Sequence, residues 1–427
     1  MIRKNESGVV LIVTLWVIVI LATVSLSYVR QVNLEVKMVG FQRDAMIVDS
    51  VAKAGLRQAL VLLREDRIKD SAEDIQETAM RFMEDDNFRY DGGSEAWADN
   101  PDLYVDVPFY EIGDKKAYYY VDVEDESAKF PINNERTTLD MIARLLVLSG
   151  VSERDSETLA AAIIDWRDQN DIPEESGNSR FGGRGGEEND VYNQGTRRSR
   201  GRGRDRSDVP EIIMKNAPLN SIDELLLIPG MTPEIVNGTV DPEEGRGRGR
   251  ISRRRLGKGE YLGLRNLMTV YSNRFNLNTV KLEVLEAILY PALGEEAARV
   301  AENWVEYRDG RDGETYTEDD QVLKTLDNSD NDDMHWTDVD GFDPNVIKAM
   351  EPFMQIHSDI YVISCLADYE GLRKGYRVVV ERYFTPWDQL PVFGIDTQRL
   401  EDLEQVHLQI RLFEPLYDAS DRIDNMG

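Results

Sequence analysis

The first 29 residues constrain this chain more than any other stretch. A polar head, residues 1–8, is followed by residues 9–29, an apolar run without a charge. As an α-helix rising about 1.5 Å per residue, this run is roughly 30 Å long, which matches the hydrocarbon core of a bilayer. The run therefore predicts a transmembrane helix. Arg3 and Lys4 in the head predict that the N-terminus lies in the cytoplasm.

The type of segment has two interpretations. A secretory signal peptide would have a shorter apolar region followed by a small-residue cleavage site, whereas residues 30–40 continue a helical pattern. The simpler interpretation is a plain N-terminal anchor. The other is a leader that resembles those of type IV prepilins, with a short charged head and a glycine before the apolar run. Such a leader would be cut between Gly8 and Val9 on the cytoplasmic face.

The apolar pattern then continues at helical spacing to about Glu65, which predicts one long helix whose upper part packs on a soluble domain. Aromatic and β-branched residues predict strands on both sides of the middle of the chain. These strands are expected at 103–107, 117–124, 360–367, 375–383 and 407–413, with a turn at 111–115, and the last three would complete the first domain's sheet.

Composition narrows the possible functions. The chain has 50 Lys and Arg against 80 Asp and Glu, a formal net charge of −30. This acidity opposes general nucleic-acid binding. The single cysteine, Cys365, excludes an intramolecular disulfide, and its apolar surroundings predict a buried structural thiol. No P-loop, nucleophile-elbow, zinc-protease or cysteine–histidine pattern occurs, so an enzyme is not expected.

The middle of the chain contains an internal repeat. Residues 130–134 and residues 275–279 each precede two apolar helical segments separated by a glycine, and residues 217–235 form a shorter third copy. An Asn or Ser before each apolar run is expected to cap a helix, and a Gly to end one. The units resemble helix-hairpin-helix motifs of the SAM-like class. Such motifs can bind DNA, but the acidic residues around these copies favour structural use or protein contact.

Taken in order, these features resemble one family. The leader, the strand, Ala-Ala-Ala-Ile-Ile-Asp-Trp-Arg-Asp (160–168), Lys-Asn-Ala-Pro-Leu-Asn-Ser-Ile-Asp-Glu-Leu (215–225), Ile-Pro-Gly-Met and Phe-Asn-Leu-Asn-Thr (275–279) are similar to the type II secretion minor pseudopilin K family (general secretion pathway protein K). The resemblance implies an α+β fold, in which a transmembrane spine helix and a pilin-like antiparallel sheet carry a large inserted all-α domain.

The resemblance also implies the division of the chain. Residues 1–8 are the leader, 9–29 the transmembrane helix, 30–128 the first part of the pilin-like domain, 129–356 the inserted domain and 357–427 the second part. Two Arg/Gly-rich insertions near 179–206 and 244–258 depart from the family pattern. We interpret them as mobile loops, either solvated segments balancing nearby acid or an electrostatic contact with an acidic partner or an anionic envelope surface.

One departure from the pilin pattern suggests a position in the assembly. Major pilins and most pseudopilins carry a Glu at the fifth residue after the cut, where it neutralises the N-terminal amine of a neighbouring subunit. Here this residue is Val13. Because an uncompensated amine in an apolar bundle is costly, a subunit without the Glu suits the tip. The implied partners are other minor pseudopilins (types I and J), the major pseudopilin fibre, prepilin peptidase and the inner membrane, with most of the chain in the periplasm.

Two acidic groups suggest calcium, since the resemblance implies this ion and hard cations favour carboxylate oxygens. The candidate ligands are Asp168, Asp171, Glu187, Glu188 and Asp190 in one group, and Asp327, Asp330 and Asp332 in the other. Metal-free acidic loops are the alternative. Two other functions also stay open: a membrane-anchored DNA receptor that uses the helix-hairpin-helix units, and a minor pilin of a type IV pilus.

Overall fold

The computed structural model of the protein describes residues 6–78, 90–92, 95, 97–98, 110–112, 115–174, 213–240, 256–311, 313, 320–324, 335–384 and 406–416. For residues 6–9, 67–78, 110–112, 384 and 406, the description covers the backbone alone. The predicted strand at 103–107 and most of both Arg/Gly-rich insertions lie outside the described residues.

The helices in chain order are α1 (Glu6–Thr78), α2 (Leu139–Leu148), α3 (Glu153–Arg167), α4 (Pro233–Asn237), α5 (Leu264–Leu267), α6 (Leu282–Leu293), α7 (Ala297–Arg308) and α8 (Pro344–Met350). The strands are β1 (Tyr110–Ile112), β2 (Lys115–Asp125), β3 (Phe130–Pro131), β4 (Met268–Thr269), β5 (Phe275–Asn276), β6 (Met354–Gln355), β7 (Ile360–Tyr369), β8 (Leu372–Phe384) and β9 (Val406–Leu416).

Helix α1 is longer than the sequence pattern predicts, ending at Thr78 instead of near Glu65. Its apolar side chains divide into two groups. Those from Val48 to Leu63 that point inward are buried against the sheet, whereas Val36, Val39 and Met46 are exposed. The helical spacing alone does not separate these groups, because both halves of the helix have it.

The main sheet has the order β1-β2-β7-β8-β9 and is antiparallel throughout. The C-terminal strands β7, β8 and β9 therefore complete the sheet that β2 begins, as the alternation of their residues predicts. The turn predicted at 111–115 is wrong at its ends, because Glu111 lies in β1 and Lys115 begins β2. In the pairing of β1 with β2, Ile112 lies opposite Lys115 and Glu111 lies opposite Lys116.

Two large apolar cores lie among the described residues. One joins α1 to the inner face of the sheet and includes Ala52, Leu56, Val121 and Val378. The other lies among the helices between β2 and β7, with buried residues from Phe130 to Ile356. The two-stranded parallel pairs β3-β4 and β5-β6 are held within this second region. A long apolar helix on an antiparallel sheet, together with a separate helical region, makes the protein α+β.

Candidate functional site

The lower part of α1 is the first feature that bears on function. Among the described residues, α1 contains the one helix stretch long and apolar enough to cross a membrane, and none of its most apolar window is buried in the protein. Val13 is 55% exposed. The bond between Gly8 and Val9 lies in the first turns of this helix. The apolar surface is thus left for lipid or for other helices.

The two threonines within this stretch need no outside partner. The Thr14 hydroxyl donates to the Leu11 carbonyl at 2.9 Å, and the Thr23 hydroxyl donates to the Ile20 carbonyl at 2.8 Å. A polar group in hydrocarbon is costly unless it is hydrogen-bonded. The side chains of these two threonines are therefore compatible with a bilayer.

The upper part of α1 lies very close to the sheet at Gly55. A Cβ at this position would lie 2.7 Å from Cys365 Sγ and 2.7 Å from Tyr119 Cδ2. The Cys365 thiol donates to the Ala52 carbonyl at 3.1 Å, and burial raises the pKa of Cys365 to about 12. The cysteine is therefore a packing group of low reactivity, as its apolar surroundings predict.

A buried polar junction lies where α1, the sheet and the helical region meet, and Arg382 on β8 is at its centre. This guanidinium is 2% exposed and pairs with Asp91 and with Asp66 of α1, the latter at 3.2 Å. It also donates to the carbonyls of Leu63 and Ser358. The two carboxylates offset the cost of burying the positive charge, and Arg382 ties α1 to the sheet at Leu63 and Asp66.

Asp125, at the end of β2, carries the junction into the helical region. Its Oδ2 accepts hydrogen bonds from the hydroxyls of Thr279 and Ser358, the latter at 2.6 Å, and its Oδ1 accepts from the Ser127 amide at 2.7 Å. Complete burial raises the pKa of Asp125 to about 6, which the hydroxyl donors oppose and the charge of Asp91 favours. The Asp125 carboxylate therefore contacts both connections between the sheet and the helical region: Ser127 after β2 and Ser358 before β7.

A second ionic cluster lies beside it. Lys129 is buried and pairs with Glu126 at 2.5 Å and with Glu124 at 3.2 Å. Lys281 also reaches Glu124, at 3.0 Å. Although burial alone would raise the pKa of Glu124, the charges of Lys281 and Lys129 lower it. The connection between sheet and helices is thus made by charged side chains as well as by apolar packing.

The sequence pattern does not single out Asp66, Asp91, Asp125 or Arg382. No short motif could reveal them, because Arg382 and Asp91 are separated by 291 positions and acidic residues are common in this chain. The carboxylates of Asp66, Asp91 and Glu95 lie within 4.8 Å of one another, a spacing that a metal ion could use. Arg382 pairs with the first two, so we interpret the group as an ion-pair cluster.

The repeated Asn residues act differently from the prediction. Asn133 donates to the carbonyls of Leu219 and Val270 and accepts from the Leu219 amide. Asn278 likewise donates to the carbonyls of Leu323 and Ile356 and accepts from the Leu323 amide. The prediction that an Asn or Ser caps a helix is confirmed for Ser152, which caps α3, and is wrong for these Asn residues, since Thr138 caps α2. Each Asn instead joins distant loops.

The glycines end the helical segments as predicted. Gly150, Gly230 and Gly294 all have positive φ, between 58° and 107°, the region that favours glycine. They follow α2, the 3-10 segment Ile222–Leu227 and α6. In the third copy, Ser221 caps this 3-10 segment and α4 has only five residues.

Of the first calcium group, Asp168 and Asp171 lie in the described part, and Glu187, Glu188 and Asp190 lie outside it. The loop after α3 brings Asn170, Asp171 and Asn216 together: Asn216 Nδ2 donates to the Asn170 carbonyl at 3.0 Å and to Asp171 Oδ1 at 2.8 Å. Asp168 accepts from the Asn170 side chain at 2.6 Å. Burial raises the pKa of Asp168, and the nearby charge of Asp171 adds to this effect.

The second calcium group, Asp327, Asp330 and Asp332, lies outside the described residues. Two acidic residues that follow it have structural partners. Asp343 accepts from the amides of Asn345 and Val346 and caps α8, and Asp340 pairs with Arg299 at 2.5 Å. These two carboxylates therefore stabilise the helical region locally.

The sequence and the structure were compared with those of known proteins. No curated protein matches the sequence. A solved structure, the GspK-GspI-GspJ complex from the enterotoxigenic Escherichia coli Type 2 Secretion System, contains a similar chain, with 12% identity, a TM-score of 0.46, and coverage of 88% of this chain and 98% of that chain. This likeness is too low to carry an argument about fold or partners. Residues 123–239, from the end of β2 through α4, match the family model of Type II secretion system (T2SS), protein K. Over these residues the chain is similar to protein K of type II secretion systems.

Proposed function

We propose that this protein is the tip subunit of a type II secretion pseudopilus, where it supports protein export across the outer membrane. Its N-terminus lies in the cytoplasm, α1 crosses the inner membrane once, and the rest of the chain is periplasmic. The observation that carries the proposal is the pairing of an exposed apolar α1 with a bulky helical region matched to protein K. A helical region as broad as this one would hinder stacking of a further subunit above it.

The assembly follows from the same features. We propose that residues 129–356 form a domain inserted into a pilin-like domain of residues 30–128 and 357–427, a division that the two separate apolar cores support. Partners of the tip would be other minor pseudopilins, of types I and J, together with the major pseudopilin fibre. In this proposal the protein is a structural component and has no catalytic role.

The position can be tested by labelling an epitope at the C-terminus and imaging sheared pseudopili by immunogold electron microscopy. Gold at one end of each fibre supports the tip position. Gold distributed along the fibres contradicts it. Co-purification with pilins of a type IV pilus, in place of pseudopilins, would favour the minor-pilin alternative.

The leader has its own test. We propose that prepilin peptidase cuts after Gly8 and exposes Val9, which the mature chain carries as a methylated N-terminus. Intact-mass spectrometry of the full chain co-expressed with the peptidase should show loss of residues 1–8. The Gly8→Asp variant should keep them. A wild-type chain that still begins at Met1 contradicts the leader and favours the plain anchor.

We also propose that the helix–glycine–helix units are of the helix-hairpin-helix class and serve as packing units. The first turns of the helices that follow the glycines support this use, since Glu153 and Asp155 begin α3 and Glu295 and Glu296 precede α7. Negative charge at these N-termini opposes phosphate binding. Salt-sensitive binding of duplex DNA by the full chain in detergent would instead favour the DNA-receptor alternative.

Calcium binding near α3 is a further part of the proposal. Asn216 has a φ of +49°, and its Oδ1 is buried without a hydrogen-bond donor among the described residues. Together with the Asp168 and Asp171 carboxylates, this oxygen supplies the donor chemistry that Ca²⁺ prefers, which would order the loop around the ion. Added Ca²⁺ should raise the melting temperature of the full chain. This rise should shrink in Asp168→Asn and stay in the control Asp340→Asn; an equal rise in all three contradicts the site.

A further inference from the structure

A cleft lies between the helical region and the outer face of the sheet, which is the face turned away from α1. Tyr376 and Val378 of β8 belong to the core that α1 covers, and successive residues of a strand point to opposite faces. Arg377, between them, therefore points to the outer face, where it lines the cleft together with Tyr271 of the helical region. The cleft has a volume of about 40 Å³, which is space for a few water molecules or for one carboxylate group.

Two hydrogen-bond donors in this cleft have no acceptor. Among the described residues, neither the half-buried Arg377 guanidinium nor the Tyr271 hydroxyl makes a hydrogen bond or an ion pair. The guanidinium holds its N–H donors in a planar fork and has no acceptor atom. Burial raises the pKa of Tyr271, although the charge of Arg377 opposes this effect, so the hydroxyl keeps its proton at neutral pH. A ligand that uses both groups must therefore supply acceptor oxygens.

Apolar packing holds the tyrosine in place. The outer face of the sheet carries a small cluster of buried residues, Ile360, Val362 and Val379. Tyr271 and Leu412 of β9 pack against this cluster. The hydroxyl is therefore positioned beside the guanidinium before a ligand arrives, and donors that are already positioned lose little conformational freedom on binding.

The acidic residues that line the cleft do not occupy these donors. Two of them already have cations, in the pairs Asp223–Arg265 and Glu126–Lys129. Glu414 is exposed and lies opposite Arg377 in the pairing of β8 with β9, but these two described side chains form no ion pair. Glu414 can therefore compete with a ligand for the guanidinium, and its removal should strengthen binding.

We propose that this cleft, defined by Arg377 and Tyr271, binds the carboxylate of a ligand that carries it on a short aliphatic stem. Both carboxylate oxygens accept from the guanidinium fork, the geometry that such pairs favour, and one also accepts from the tyrosine hydroxyl. The stem contacts the apolar lining, which consists of Ile222, Met268 and Leu412. A small organic acid and the glutamate side chain of a polypeptide share this chemistry. The site belongs to the chain itself and does not depend on where the subunit sits in a pseudopilus.

The experiment titrates three probes into the full chain in deuterated detergent and measures binding by saturation-transfer difference NMR. Butyrate represents the free organic acid, and N-acetyl-glutamate α-amide represents the glutamate side chain. N-acetyl-glutamine α-amide has the shape of the second probe without its charge. We expect roughly millimolar dissociation constants for the two carboxylates, because such small ligands make few contacts, and no binding of the glutamine probe.

The comparison of probes identifies the source of the carboxylate. Tighter binding of the glutamate probe than of butyrate supports the site and identifies a polypeptide side chain as its ligand. Equal or weaker binding of the glutamate probe supports the site and identifies a small organic acid. Binding of the glutamine probe as tightly as the glutamate probe overturns the proposal.

Variants decide whether the cleft is the site that binds. Arg377→Gln removes the charged fork and should raise the dissociation constants of both carboxylates by about tenfold to a hundredfold, whereas Glu414→Gln should lower them. The control is Arg373→Gln on the same strand, whose guanidinium already pairs with Asp368, and it should leave the constants unchanged. Undetectable binding of both carboxylates to the wild type, or wild-type constants in Arg377→Gln, overturns the proposal.

If circular dichroism shows that Arg377→Gln does not fold, Tyr271→Phe takes its place. This variant keeps the ring that packs on the sheet and loses only the hydroxyl group, so the fold should survive. The dissociation constants of the two carboxylates should rise by about threefold to tenfold. Constants equal to those of the wild type in Tyr271→Phe overturn the proposal.

Discussion

The lower and upper halves of α1 both carry apolar side chains at helical spacing, but these side chains have different surroundings. Ile20, in the lower half, is 54% exposed, whereas Val51, in the upper half, is 2% exposed. In the upper half, side chains at helical spacing meet the sheet, and the remaining faces carry Lys53 and Arg57. In the lower half, apolar side chains point in all directions without a charge from residue 10 to 29.

The difference shows that hydrophobicity alone does not define the role of a helix. The upper half is stabilised by burial against its own sheet, at roughly 25 cal/mol per Å² of apolar surface. The lower half leaves its apolar surface exposed over a length that matches a bilayer. Variants that are chemically matched between the halves should therefore have different effects on the unfolding of the sheet and the helical region.

The largest effect is expected where the upper half of α1 ends. Arg382→Met removes the cation and leaves Asp66 and Asp91 buried, which should lower the free energy of unfolding by about 3–5 kcal/mol. Urea unfolding of the full chain in detergent, followed by circular dichroism, measures this loss. The control is Arg373→Met, whose ion pair with Asp368 is partly exposed and should cost less than about 1 kcal/mol. Equal losses would contradict a special role of the junction.

A smaller effect is expected from removing apolar volume. Leu63→Ala creates a cavity in the core between α1 and the sheet and should cost about 2–5 kcal/mol in the same urea experiment. Leu34→Ala, at an exposed position of the lower half, should leave urea unfolding of the soluble part unchanged. If Leu34→Ala is as destabilising as Leu63→Ala, the soluble body extends further down the helix than this structure shows.

The smallest changes in the free energy of unfolding are expected at two glycines of α1, Gly55 and Gly40, and they should differ in sign. At Gly55 an added Cβ would collide with Cys365 and Tyr119, whereas at Gly40 nothing lies within 4 Å. Gly55→Ala should therefore destabilise by about 1–3 kcal/mol. Gly40→Ala should be neutral or stabilise the helix by up to about 1 kcal/mol. In urea, the unfolding midpoint of Gly55→Ala should lie below the wild-type value, and that of Gly40→Ala should equal or exceed it. If Gly55→Ala is instead stabilising, the close approach of α1 to the sheet at this residue is contradicted.

The elements of the fold could be predicted where their signal is local. Alternating β-branched and aromatic residues indicate β2, β7, β8 and β9, and the uncharged run indicates the lower part of α1. The limit of prediction from local signals is visible along α1. Val39 and Leu56 belong to the same helical pattern, but only the second is buried, because the level at which the sheet meets the helix depends on tertiary packing.

The polar junction and the Asn contacts could not be predicted because they join distant parts of the chain. Asn133 has the residue type and position of a helix cap, yet it binds loops 86 and 137 positions away. The same residue type serves both uses, and the choice depends on which partner the fold brings near. Asp125 ends a strand in an acidic chain, and nothing in the residues around it indicates that its carboxyl is fully buried.

The most direct test of the account is the accessibility of α1 in the cell. Ile20→Cys and Arg57→Cys are made separately in the full chain and treated with a membrane-impermeant maleimide after the outer membrane is permeabilised. The account predicts strong labelling of Arg57→Cys and none of Ile20→Cys or of the wild-type chain, whose Cys365 is buried. Labelling of Ile20→Cys to the same extent as Arg57→Cys would contradict the claim that one helix serves as membrane anchor in its lower half and packs on the sheet in its upper half.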